Sequence, residues 1–259
     1  MSHGICTFSC IPARKEASHE SEMLTQLLFG ESYTVQKSLG NWLHIKTSID
    51  HYECWIHEKQ HHLISEKEYQ AIHKEQQVLS RDLLALVTDI EKKISFPVTM
   101  GTVLPHFKTR QFTIGQKHFR FEGETCVSGN KSNADAILKT GAEFLHAPYL
   151  WGGRNPFGID CSGFTQLVFR VNGYELPRDA HQQVEKGTAL AFADEAEAGD
   201  LAFFDNEEGR IVHVGILLNN QEIMHASGSV RIDRFDHYGI HSKQSKSYTH
   251  HLRVIKRIL

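Results

Sequence analysis

The chain has 259 residues, a net charge of -3, 40% hydrophobic and 23% charged residues. That composition fits two or three ordinary soluble units, and the near-neutral charge gives no basis for binding nucleic acid or an anionic membrane. No run approaches the ~18 apolar residues of a membrane helix, and the opening MSHGICTFSCIPARKEASHESEM lacks the basic start and apolar core of a secretory signal.

Residues 3–65 read as β-rich, with short apolar runs (ICTF, YTV, WLHI) punctuated by LFGES, SLGN and IDHY. Residues 66–93 carry many charges and helical spacing, which predicts a helical linker or hairpin. The β pattern resumes from Phe96 to Cys126 in FPVTMGTVLPHF and RQFTIGQKHFRF. From Lys131 the order becomes helix first and strands later: LKTGAEFLHA and the segment after Cys161 read as helices, and LAFF, IVHVGILL, EIMHAS and LRVIKRI as strands. A helix-led segment followed by an antiparallel sheet is an α+β arrangement. The five cysteines, Cys6, Cys10, Cys54, Cys126 and Cys161, are an odd and sparse set that fits a reducing compartment better than a disulfide framework. Cys54 and His57 in HYECWIHEKQHH have zinc-like C-x-x-H spacing, but no second cysteine pair follows.

The stretch FGIDCSGFTQLVFR places Phe164, Leu167, Val168 and Val171 at i, i+3, i+4, i+7, one buried helix face. Cys161 therefore starts a helix, where free amide N–H groups and the helix dipole stabilise an anion. A thiol of ordinary pKa ~8.5 is drawn toward thiolate there. Read from this stretch alone, Cys161 is equally a nucleophile or a small buried hydrophobe. A nucleophilic cysteine needs a base, and the base an orienter. Among 18 histidines, position decides. His213 sits in a strand, and His225 follows across an Asn219-Asn220 turn in a second strand. Antiparallel pairing would bring the two together, as base and orienter or as two strand histidines bonded to backbone.

PYLWGGRNPFGIDCSGFTQLVFR, ELPRDAHQQVEKG, AGDLAFF, RIVHVGILL and MHASGSV together, in this order, resemble the NlpC/p60 cysteine endopeptidases over roughly residues 130–257. The resemblance implies a papain-like α+β catalytic domain, with Cys161 as nucleophile, His213 as base and His225 as third residue. SEMLTQLLFGESYTV and GNWLHIKTSIDHYECWIHEKQ resemble a bacterial SH3 (SH3b) domain, with Cys54 where such domains usually carry glycine. The expected layout is an SH3b domain at 1–65, a helical linker and second SH3b-like β-barrel at 66–128, and the catalytic domain at 129–259.

Relatives of this layout are γ-D-glutamyl-L-diamino-acid endopeptidases acting on murein peptides with a free N-terminal L-Ala. The resemblance implies substrate contacts from Tyr149, Trp151, Asp160, Ser162 and Asp179, and from Tyr52 and Glu22 of the first SH3b domain, with Glu20 and Glu31 as alternative acids. Asp160 and Asp179 read equally as helix caps, and Arg178 as an ion pair supporting the loop. Ala180 stands where relatives often have serine. The implied partner is the peptide L-Ala-γ-D-Glu-diamino acid; no metal or other cofactor, nucleic acid or membrane is implied, and a cytoplasmic monomer in cell-wall peptide recycling is expected. An amidase or acyltransferase on the same scaffold, or a wall-binding SH3b module, are the alternatives.

Overall fold

The computed structural model describes residues 2–259. The chain divides into one unit ending at Ser128 and a second spanning Gly129–Leu259. Among the described residues, no helix is long and apolar enough to cross a membrane.

The first unit opens with a seven-stranded antiparallel sheet. Its spatial order is Met23–Leu28, Cys10–Arg14, Glu53–His57, Trp42–Thr47, Ser32–Leu39, Ser2–Ile5 and Leu63–Ile64. Alternate side chains Ile11, Leu27, Ile45 and Ile56 meet in one apolar cluster with Cys6, Tyr33 and Cys54. Cys54 is 1% exposed, and burial pushes its thiol far up, while His57 Nδ1 accepts the Lys59 amide N–H at 3.2 Å. Tyr52 packs against the same cluster, and its amide donates to Thr47 Oγ1 at 2.8 Å. Glu22 pairs with Lys15 at 3.2 Å. Glu31 is buried and accepts the Leu28 amide at 2.9 Å.

The expected helical linker stops early. Helix α1, Glu66–Lys74, is capped by Ser65, whose hydroxyl accepts the Glu68 amide at 3.1 Å. Beyond it, Val78–Ser80 and Leu84–Asp89 are strands. In the second of these Ala85, Val87 and Asp89 are buried while Leu84 and Leu86 are exposed, a period of two. The run LLALV is apolar in both phases, so its spacing matched a helix as well as a strand. Leu84–Asp89 joins a four-stranded sheet of order Ile94–Thr99, Leu84–Asp89, Lys117–Glu122, Gln111–Ile114.

Besides the first sheet's own apolar cluster, the two β-rich halves of this unit meet in a second one. Phe29 of the first half lies 5.5, 5.8 and 5.7 Å, ring to ring, from Phe96, Phe112 and Phe119 of the second. Ile5, Ile64 and Ile72 join the same cluster. Next to Phe29, Gly30 has φ +79°, and a Cβ there would fall 2.0 Å from the Val103 carbonyl oxygen. Only glycine allows that approach.

The second unit is helix-led, with α2 (Ala134–Ala142), α3 (Cys161–Val171) and α4 (Ala180–Gln183). Asn172 Nδ2 ties α3 to α2 by donating to Thr140 Oγ1 at 2.9 Å. Most of the unit is strand. Its sheet runs Thr188–Ala189, Tyr248–Arg257, Leu201–Asp205, Ile211–Leu217, Glu222–Ser227, Ser229–Asp236, Gly239–His241, and the last also pairs with Tyr248–Arg257. Six strands thus close on themselves, around a core of Ala202, Phe204, Leu217, Ile223, Phe235, Ile240 and Ile255. Helix α3 packs against Ile211–Leu217 and Glu222–Ser227.

Phe29→Ala should cost the first unit about 3–5 kcal/mol. Because this cluster spans both halves, hydrogen exchange in the full chain should show the amides of Ile5 and of Val87 losing protection together; loss confined to the Val87 sheet would indicate that the two halves unfold independently.

Candidate active site

The loop before α3 is built around one carboxylate. Asp160 caps the helix, accepting the Gly163 amide at 2.6 Å on Oδ1. Its Oδ2 accepts the Gly152 amide at 2.8 Å. Arg178 forms a two-point pair with it, Nη2 to Oδ2 at 2.6 Å and Nη1 to Oδ1 at 3.0 Å, with 1% and 8% of the two side chains exposed. Arg178 Nη1 also donates to Ser162 Oγ at 3.0 Å. The glycines of W-G-G let the loop fold this tightly: a Cβ on Gly153 would fall 2.2 Å from the Gly158 carbonyl oxygen. Asp160 and Ser162 are therefore buried and held by internal partners, and the carboxylate organises the loop.

Cys161, the first residue of α3, is 6% exposed. Its sulfur accepts the backbone N–H of Val214, the residue that follows His213. The strand Ile211–Leu217 is thereby in direct contact with the thiol. His213 and His225 are 5% and 0% exposed, and His213 Nε2 lies 2.9 Å from His225 Nδ1. They are not directly opposite in the ladder, because His225 pairs with Gly215. A Cβ on Gly215 would fall 2.9 Å from the His225 Cβ, so the glycine clears the space that the diagonal imidazole pair needs.

Three groups beside this pair escaped the sequence reading. Asp233 Oδ2 lies 3.2 Å from His225 Nε2 and accepts Arg231 Nε at 2.8 Å. His250 stacks on His213 with ring centroids 4.1 Å apart. The R-I-D triplet, Arg231 to Asp233, alternates along a strand next to the one carrying His225, and that register was the available signal.

Electrostatics correct one expectation. Burial pushes the Cys161 thiol up to about 12, the Asp160 charge adds to this, and the Val214 and Ser162 amides and Arg178 oppose it. Desolvation here outweighs the helix end. Burial, then electrostatic coupling to His225, His250 and Arg231, holds the His213 imidazole well below its ordinary range. Burial also lowers His225, against the opposing pull of Asp233, and lowers His250 to about 4. For Asp233, burial works upward, but hydrogen bonds from His225 and the Lys243 amide and the Arg231 charge keep it well below the usual carboxylate range. These shifts favour a neutral thiol beside neutral imidazoles at rest over a preformed ion pair.

The remaining expected residues divide by location. Tyr149 is half-buried, and its phenol is raised far above the ordinary value by burial, then by Cys161 and Asp160, so it stays a hydrogen-bond donor near the thiol. Trp151 is 58% exposed in the same loop. Asp179 is half-buried at the N-cap of α4, where its amide donates to Gln182 Oε1 at 3.2 Å. Tyr52 and Glu22 belong to the first unit.

A thiol at a helix start, touched by the strand of a histidine that a second histidine orients, is the equipment of a cysteine hydrolase. The NlpC/P60 family matches residues 146–254, and the bacterial dipeptidyl-peptidase SH3 domain matches residues 13–60. A Bacillus subtilis protein named gamma-D-glutamyl-L-lysine dipeptidyl-peptidase is 34% identical over 218 residues, covering 78% of this chain and 71% of that one. A Bacillus cereus protein of the same name is 28% identical over 236 residues, covering 83% and 70%. The crystal structure of an NlpC/P60 family protein from Bacillus cereus superimposes with a TM-score of 0.82 at 24% identity, covering all of both chains. The chain belongs to the NlpC/P60 family, and it is a cysteine peptidase with an SH3 domain ahead of its catalytic unit.

With the thiol held near 12, the thiolate fraction grows about tenfold per pH unit through the neutral range. The rate of Cys161 alkylation by iodoacetamide, followed by peptide mass spectrometry, should therefore climb steadily from pH 6 to pH 9. A rate independent of pH over that range would mean a preformed thiolate–imidazolium pair.

Proposed function

We propose that the chain hydrolyses the γ-D-glutamyl-L-diamino-acid bond of murein peptides bearing a free N-terminal L-Ala, and that it serves cell-wall peptide recycling. The observation that carries this reading is Cys161 at the start of α3, its sulfur bonded to the amide next to His213 while His213 is held by His225. The two Bacillus relatives named gamma-D-glutamyl-L-lysine dipeptidyl-peptidase support the choice of bond.

Cys161 Sγ attacks the γ-carbonyl carbon of D-isoglutamate as its proton passes to His213. Because both groups are neutral at rest, proton transfer and attack are coupled, and no thiolate need accumulate. The oxyanion is stabilised by N–H groups at the first turn of α3 and by the un-ionised Tyr149 phenol. His213 then returns the proton to the departing α-amine of the diamino acid as the C–N bond breaks. Water, deprotonated by His213, opens the thioester and regenerates the thiol. Arg178 and Asp160 keep α3 in place, while Trp151 and the half-buried Asp179 line the approach.

Incubation with L-Ala-γ-D-Glu-L-Lys and with its meso-diaminopimelate counterpart, followed by mass spectrometry, should release L-Ala-γ-D-Glu. Cys161→Ala should keep the fold by circular dichroism and lose turnover; residual activity above about 1% of the starting rate rules out the nucleophile assignment. His213→Ala should lower kcat more than His225→Asn, because the first removes the group that carries the proton and the second only its support.

Recognition of the free amine is a charge-assisted contact worth roughly 1.5–3 kcal/mol. N-acetylation of the substrate should therefore lower kcat/KM by at least about tenfold. Equal rates on free and acetylated tripeptide would remove the amine from the specificity and favour a general amidase.

A further inference from the structure

We infer that Asp233 sets the tautomers of both histidines behind Cys161 and so decides which nitrogen of His213 acts as the base. The inference rests on the cysteine-peptidase reading above and adds a fourth, positioning member to it.

A neutral imidazole has one N–H and one bare nitrogen, and nothing in a ring fixes which is which. His213 and His225 face each other through Nε2 and Nδ1 at 2.9 Å, so a single proton lies between them. Two arrangements satisfy that contact. In one, His213 donates from Nε2, its Nδ1 is bare, and His225 carries its proton on Nε2. In the other, His225 donates from Nδ1, and His213 is left with its proton on Nδ1. Only the first gives His213 a lone pair on Nδ1 with which to take a proton from the thiol. The second places a hydrogen where a base is needed.

An asparagine in place of His225 would need no proton arbiter, since it has no tautomer to set and its carboxamide oxygen can accept from His213 Nε2. A histidine does need one. Asp233 supplies it: an ionised carboxylate only accepts, and its Oδ2 lies 3.2 Å from His225 Nε2. The proton of His225 is therefore drawn to Nε2, Nδ1 is left bare, and His213 must donate from Nε2. The arbiter is itself fixed. Arg231 Nε donates to the same oxygen at 2.8 Å, and the Lys243 amide donates to Oδ1 at 2.8 Å. Side-chain exposure is 0% for His225 and 3% for Asp233, so water does not offer either group an alternative partner.

The test uses the full chain and has two readouts. In 15N NMR of the resting wild-type protein at neutral pH, with signals assigned by single-histidine replacements, His213 and His225 should both be Nε2–H tautomers. In Asp233→Asn, whose carboxamide can donate to His225 Nε2, both rings should shift toward Nδ1–H. Turnover of the murein tripeptide should fall at least about 100-fold in kcat with KM changed less than about threefold. Made in a His225→Asn background, the same Asp233→Asn change should cost less than about threefold, because the tautomer of His213 no longer depends on Asp233. A wild-type His213 with its proton on Nδ1 would overturn the inference. So would an Asp233→Asn protein with unaltered tautomers, or an equal loss of kcat in both backgrounds, which is what a purely structural role produces. If wild type fails to cleave the tripeptide, the functional reading fails, while the NMR result still decides the role of Asp233.

Discussion

The buried pair between Arg178 and Asp160 is the contact on which the catalytic unit depends. A carboxylate and a guanidinium that are almost wholly buried are tolerable only when every lone pair and most N–H groups have partners. Asp160 meets that condition with the Gly152 and Gly163 amides as well as the guanidinium. The same set of bonds fixes three things at once: the start of α3, the W-G-G loop that carries Tyr149 and Trp151, and the segment leading into α4. Removing one partner of such a pair leaves an uncompensated charge and typically costs about 3–5 kcal/mol. The position of Cys161 follows from this, because it is the residue immediately after the cap.

Around that anchor the unit keeps three imidazoles neutral. His213, His225 and His250 are all held below their ordinary range by burial. The unfolded chain takes up protons on these rings as the pH drops below about 6.5, while the folded chain does not. Their contribution to stability is therefore complete above that pH and is lost progressively on acidification toward the lowered folded values. Chemistry and stability share the requirement: a neutral His213 is both the competent base and the form the folded state tolerates.

In the first unit a different constraint governs. A small β unit buries little surface by itself, and the aromatic cluster around Phe29 joins residues of both β-rich halves in addition to the first sheet's own cluster. The glycine after Phe29 permits the backbone approach that seats this ring, so a single local feature, Gly30 with its left-handed φ, connects chain conformation to packing.

Much was legible in the sequence. The i, i+3, i+4, i+7 spacing after Cys161 gave helix α3, the Asp160 cap gave its start, and the β-branched runs of the C-terminal half gave its strands, because each is a local signal carried by neighbouring residues. The motif order from PYLWGG to MHAS carried the family. Other features belonged to the tertiary structure alone. LLALV became a strand because its Ala85 and Val87 found an apolar partner surface, a choice its own composition left open. The thiol's proton affinity was set by how deeply α3 is buried, which no stretch around Cys161 records. Asp233 met His225 through the register of two adjacent strands, and His250 met His213 because the sheet leaves a single strand between Tyr248–Arg257 and Ile211–Leu217; register and strand order are properties of the folded sheet.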